Sequence, residues 1–208
     1  MKKIVCTIIA FALIIPVIPA FADDTAHSFD AYQTGENSVV ISGYSGGEFA
    51  INVFAPGKSS DDIDTADNAL NTDVIVYHDI CAANSDGSFE IKFNINGKSG
   101  EYTADIYSIA DKVRLICNMP LRFTNKDDFS AAVRLLNEAG LKGADETAQV
   151  ISENRAALGF YTDEFNGVSD RTAAEMMSAE IKRKSLNEGD MTGVIRLFKQ
   201  ICLADRLN

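Results

Sequence analysis

The stretch Asn118–Phe123, NMPLRF, separates two kinds of periodicity. Before it, apolar residues recur at every second position. In SFEIKFNI, Phe89, Ile91, Phe93 and Ile95 alternate with Glu90, Lys92 and Asn94. Successive side chains of a strand point to opposite faces, so this alternation marks a half-buried strand. EFAINVF repeats the pattern with Phe49, Ile51 and Val53 inward, and EYTADIY with Tyr102, Ala104 and Ile106. SVVIS, DVIVYHDI and KVRLIC bring the expectation to about six strands, separated by turn-forming SGG, APG, SDG and NGKSG. Short alternating strands with no helix between them predict two antiparallel sheets packed face to face.

After Pro120 the period becomes helical. Phe129, Val133 and Leu136 are spaced i, i+4, i+7, and Val194, Leu197, Phe198 and Ile201 form a similar stripe. Between them lie DETAQVISENRAALG, closed by Gly159, and SDRTAAEMMSAEIKRKS, opened by Ser169 or Asp170, so four short helices are expected. The last echoes the first: Asn187, Asp190, Arg196 and Leu197 fall on Asn125, Asp128, Arg134 and Leu135. Both copies start Asn-x-x-Asp, the pattern of an Asn N-cap with an acid in the first turn, where the helix dipole favours negative charge. Gly140 is read as the C′ residue closing the first copy. A short amphipathic helix cannot bury its stripe alone, so the echo points to modules that pack in series.

The N-terminus reads as an address. Lys2 and Lys3, an apolar run from Ile4 to Ile18 and the small-residue site AFA at Ala20–Ala22 form a secretory signal over residues 1–22. The run is shorter than the roughly 20 residues that span a bilayer, and no second apolar span follows, so no membrane partner is expected after cleavage. Residues 23–35 are expected to be a flexible segment, 36–119 the β-sandwich and 120–208 the helical domain, an α+β, two-domain organisation.

The chain carries 19 Lys and Arg against 30 Asp and Glu, a net charge of −11, which repels nucleic acid and anionic lipid. Beyond Cys6 there are Cys81, Cys117 and Cys202, too few and too irregular for a disulfide framework or a zinc site. A Cys81–Cys117 bridge is a candidate in an oxidising compartment, with buried free thiols as the alternative.

Catalytic signatures are missing from the sequence. The two histidines are His27, in the N-terminal segment, and His78, on a strand; G-x-S-x-G, H-E-x-x-H and phosphate-cradling loops do not occur. The chain has no Trp to line a glycosidase cleft, and no cofactor is expected. The loop SSDDIDTADNALNTD offers Asp61, Asp62, Asp64 and Asp67 as candidate calcium ligands, although it lacks the turn glycine and the Glu at position twelve of a calcium loop. A solvated acidic loop is the plainer alternative. For sugar contact, the outward-phase aromatics of the sheets are Phe54 and Tyr107, while Phe160, Tyr161 and Phe165 gather after the second helix.

The span from FTNKDDFSAAVRLL to SLNEGDMTGVIRLFKQ resembles helical accessory modules of large secreted Gram-positive proteins, mostly clostridial and Paenibacillus-like. It shares their Leu-Gly helix end (Leu158-Gly159), acidic-aromatic loop (FYTDEFNGVSD) and F-T-x-x-x-D helix start (Phe123-Thr124 through Asp128). Phe165 stands where the family usually has tyrosine, and SLNEGDM lacks the leading Phe-Thr. The preceding half, ISGYSGGEFAINVFAPG with NSDGSFEIKFNINGKSGEYTADIYS, is similar to the immunoglobulin-like sandwiches that often come before these modules. The resemblance implies a secreted or cell-surface, non-catalytic accessory role; the partner expected for such a role is a protein or a cell-wall glycan. A carbohydrate-binding module using exposed sandwich aromatics is the alternative.

Overall fold

The computed structural model describes residues 29–64, 72–109, 113–161 and 170–206, so the signal segment lies outside the described residues. The strands are β1 (Asp30–Gln33), β2 (Ser38–Tyr44), β3 (Glu48–Phe54), β4 (Ile75–Ala82), β5 (Ser88–Asn94), β6 (Gly100–Ser108) and β7 (Arg114–Phe123). The helices are α1 (Lys126–Lys142), α2 (Ala144–Glu153), α3 (Arg155–Leu158), α4 (Asp170–Arg183) and α5 (Met191–Arg206). The chain is α+β, with two antiparallel sheets followed by helices. No described helix is long and apolar enough to cross a membrane.

One sheet has the order β1-β2-β5 and the other β4-β3-β6-β7. Their inward residues form one core, in which Val39, Ile41, Phe89 and Phe93 meet Phe49, Ile51, Val53, Ala104 and Ile106. Aromatic pairs cross between the sheets: the Phe49 and Phe89 ring centroids are 4.2 Å apart, and Tyr77 stacks on Phe93 at 4.0 Å. These are the residues whose period-two spacing marked the strands.

Several expectations change. Residues 30–33, read as flexible, form β1 and pair with β2 from Asp30↔Ser42 to Gln33↔Val39. Phe29 and Ala31 pack on the core, and that apolar contact orders a strand too short for its alternation to stand out. At the other end β7 passes through Pro120 to Phe123. Proline is tolerated there because β7 is an edge strand, paired only with β6, and its missing N–H faces away from that neighbour. The helical half begins immediately after it.

The predicted second helix is two. It breaks at Asn154, whose backbone leaves the helical region (φ −118°, ψ 21°) and whose side-chain amide donates to the Val150 carbonyl at 3.0 Å. Short polar side chains offer the backbone this alternative to a continuing helix. Asn125 caps α1 as predicted, its Oδ1 accepting from the Asp127 and Asp128 amides. The second copy departs. Its helix starts three residues later at Met191, with Asp190 Oδ1 accepting from Gly193 N at 2.8 Å and Asn187 serving the turn before it. Gly140 does not close α1, which runs on to Lys142 with Gly143 as its C-cap.

Candidate functional site

The two halves meet through hydrogen bonds rather than a loose linker. Asn125 is the hub. Besides capping α1, its side-chain amide donates to the Gly97 carbonyl at 3.0 Å, and its backbone N–H donates to Ser99 Oγ at 2.8 Å. Asp128, which dipole chemistry places in the first turn, accepts from Ser99 N at 2.7 Å. The turn at 97–99 is shaped for this contact, since a Cβ on Gly97 would lie 2.3 Å from the Tyr102 hydroxyl.

Gln33 pins the other side. Its Nε2 donates to the carbonyls of Gly35, Glu36 and Thr124 at 2.8, 3.1 and 3.0 Å, while its Oε1 accepts from Thr124 N at 2.9 Å. Tyr161 closes the seam from the helical half. Its hydroxyl lies 2.7 Å from the Phe123 carbonyl and 3.2 Å from that of Gly100. Burial pushes that hydroxyl's pKa up, so it remains a donor. The Arg122 guanidinium sits over the Tyr161 ring, 5.4 Å from its centroid.

Between these fixed walls lies a cleft of about 750 Å³. One wall is β1 with the turn at 34–36 and the β7 edge; the other is the start of α1, residues 159–161 and the 188–199 segment. Tyr32 is part of this lining, and 43 % of its surface is exposed. Lys126 and Glu36 form an ion pair across the mouth, and that carboxylate raises the Lys126 pKa. Both partners are well exposed, so the pair orients the mouth more than it stabilises the fold. Gly159 lies in the cleft wall at φ +72°, where a Cβ would meet Ile195 Cδ1 at 2.7 Å. Little of this is legible in sequence: Tyr32 and Gln33 fall in the segment expected to be flexible, and Tyr161 stands out only as one of three aromatics gathered after the second helix. The short alternation Phe29, Ala31, Gln33 is the one local signal for β1.

The residues singled out from sequence do not converge. Phe54 keeps its outward phase but is fully buried, so it cannot contact a sugar at the surface. Tyr107, on the same face, is half-buried and donates to Asp105 Oδ2 at 2.9 Å; Asn118 donates to the other carboxylate oxygen. Cys81 and Cys117 are both free. They lie on β4 and β7, opposite edges of the four-stranded sheet. Three strand spacings of about 4.8 Å separate them, well beyond disulfide reach, so the candidate bridge is corrected. His78 bonds Asn52 through Nδ1 at 2.6 Å. Three residues apart on one strand, His78 and Cys81 face opposite sides and cannot act as a pair.

Of the calcium candidates, Asp62 is engaged in a capping box with Ser59 and pairs with Lys58 at 3.4 Å; Asp61 and Asp64 are exposed. Asp67 lies outside the described residues. Among the described residues no group of three or more His, Cys, Asp or Glu is placed to hold a metal ion.

The half-buried thiols carry an alkaline signature. Burial, and then the Asp79 carboxylate, push Cys81 up to about 11 from an ordinary 9.0; burial and Asp105 push Tyr107 up to about 12 from 10.0. The unfolded chain loses these protons first, so their contribution is complete below pH 9 and is lost as pH rises through 11 and 12. Thermal melting should stay level to about pH 9 and then fall. Cys81→Ala should remove the earlier part of that fall, and an unchanged profile in this variant would contradict the assignment. At pH 8 the native thiols should react slowly with a disulfide reagent and quickly once the chain is denatured.

No protein-family model, curated protein or solved structure matches this chain.

Proposed function

We propose that this is a secreted, non-catalytic accessory protein of a bacterial cell surface, an immunoglobulin-like sandwich fused to a helical body, whose partner is met at the cleft between them. Two features support the sandwich type. The strands divide three on four, with β3, β6 and β7 together in one sheet and β1, β2 and β5 in the other, as in immunoglobulin-like domains carrying an extra edge strand. Tyr102, near the start of the sixth strand, sends its hydroxyl back to the Lys98 carbonyl at 2.8 Å, a bond like that of the tyrosine corner in such domains.

The observation that carries the functional reading is the cleft itself. Its walls come from both halves and are pinned by Gln33, Asn125 and Tyr161. A concavity preorganised in this way binds without a large ordering cost. The non-catalytic part draws support from the separation of His78 from Cys81 and from a thiol held largely protonated at neutral pH.

Sedimentation with purified Gram-positive cell walls tests the reading. The protein is expected to co-sediment, and Thr192→Trp, which fills the cleft from an exposed position of α5, is expected to abolish it with the melting temperature unchanged. Failure to sediment, or sedimentation indifferent to Thr192→Trp, would sink it. Release of soluble wall fragments during the incubation would overturn the non-catalytic half.

A further inference from the structure

We infer that the cleft is a binding site for a short, uncharged oligosaccharide, with Tyr32 as the stacking platform. The inference rests on the reading above and supplies the chemistry of its ligand. Three observations select that chemistry.

The first is charge. The chain as a whole is strongly acidic, at −11, yet the cleft is balanced. Arg122, Lys126 and Lys199 line it together with Glu36 and Glu188, and Arg122 is also paired with Glu101 at 3.6 Å. The lining thus carries three cations and two carboxylates, and Glu101 outside it offsets Arg122, so the local field is weak for a polyanion or a polycation. Paired charges still offer donors and acceptors side by side, which suits the vicinal hydroxyls of a neutral sugar.

The second is the exposed aromatic. Tyr32 stands on an edge strand, and its surface is 43 % open. An exposed tyrosine ring presents an apolar face with a wet edge, which matches the C–H face and hydroxyl rim of a pyranose. Its backbone position is held by the β1–β2 pairing at Tyr32↔Val40 and by Gln33 next to it. The backbone that carries the ring is therefore fixed before the ligand arrives.

The third disfavours an extended peptide. A peptide entering beside β7 would bind by adding a strand, using the free N–H and C=O groups of that edge. Pro120 lies in the cleft wall in mid-strand and has no N–H to give. A volume of about 750 Å³ also falls within the range of small-molecule sites, roughly 300–1,000 Å³.

Calorimetric titration of the protein with cellotriose, chitotriose, 3′-sialyllactose and an uncharged octapeptide tests this. At least one neutral trisaccharide is expected to bind and to compete with wall sedimentation. Tyr32→Ala should weaken it about tenfold, the equivalent of one good stacking contact; Tyr32→Phe should restore it. Tyr44→Ala, an equally exposed aromatic at 44 % outside the cleft, should change affinity by less than about twofold. Because Tyr32 is exposed, its variants should melt with the parent. The inference is overturned if neither neutral sugar binds, if Tyr32→Ala binds as the parent does, or if the octapeptide or sialyllactose binds more tightly. Wall binding that is blocked by Thr192→Trp but not competed by trisaccharides would remove the sugar and leave the cleft reading standing. Loss of wall binding altogether would remove both.

Discussion

Replacing Phe160 by alanine is expected to lower the unfolding free energy by about 3–5 kcal/mol, the range for an aromatic ring deleted from a closed core. Phe160 has no exposed surface, and its ring lies parallel to that of Phe198 on α5, with centroids 3.7 Å apart and planes 4° from parallel. It directly follows Gly159, whose left-handed φ of +72° turns the chain out of α3, so the ring is aimed inward by a conformation that glycine makes cheap. Leu158, Val194 and Ile201 share this cluster and are themselves nearly fully buried. The fixed helix packing leaves a ring-sized void that neighbours can only partly fill. With a urea m-value of about 2 kcal/mol/M, the midpoint should drop by about 1.5–2.5 M. Phe160→Leu, which keeps most of the volume, should recover much of the loss. A change below about 1 kcal/mol in the alanine variant would show that this ring is not part of the core.

The second large effect is expected at Gly140, and it runs against helix propensity. Alanine in mid-helix gains about 1 kcal/mol over glycine. Here a Cβ would lie 2.5 Å from Ile181 Cδ1 and 2.9 Å from Ile181 Cβ, so rotating the isoleucine tip does not relieve the overlap. Ile181 is 2 % exposed and cannot move aside into solvent. The Gly140 carbonyl also accepts from Ser178 Oγ at 2.8 Å, and Ser178 is buried. Pushing α1 and α4 apart would stretch that bond as well. Overpacking of about 1–3 kcal/mol plus a weakened buried hydrogen bond of about 1 kcal/mol outweighs the propensity gain. Gly140→Ala should therefore destabilise by about 1–3 kcal/mol. Ile181→Ala alone should also destabilise, yet the double variant should lose less than the two singles together, because each change makes room for the other. Chemical denaturation of the four proteins closes the cycle. Additivity, or a stabilised Gly140→Ala, would show that the helices do not touch here.

Gly140 also shows where sequence reading stops. A glycine near the end of an amphipathic stripe has two ordinary explanations, a C′ residue or a close helix crossing. Nothing local separates them. The deciding fact is Ile181, 41 residues further along the chain. The echoed helix starts behave in the same way. Asn125 and Asn187 stand in matching contexts, but Asn125 caps α1 and reaches Gly97, whereas in the second copy Asp190 holds the helix start. The first copy has a sheet against its N-terminus to bind, through Ser99 and Asp128. The second copy's start rests instead on α1, where Ser130 Oγ donates to the Glu188 carbonyl at 3.0 Å, and there the cap moves by three residues.

The paired cysteines and the outward aromatics fail for a related reason. Alternation reports the face a side chain takes, and Phe54 stands off the sandwich core as its outward phase implies. It does not report how far apart two strands stand in a sheet or what lies over a face. Strand order places the two thiols at opposite edges, and burial of Phe54 closes the face on which it stands.

The residues by themselves determined the α+β class, the order of strands before helices, the inward sets of β3, β5 and β6 and the cap at Asn125. Those properties depend on neighbours within a few positions, where backbone geometry ties spacing to direction. The cleft, the pins at Gln33 and Tyr161, the crossing at Gly140 and the distance between the thiols were decided only by tertiary structure. Each joins segments tens of residues apart, and side-chain periodicity carries no information about which distant surfaces will close on one another.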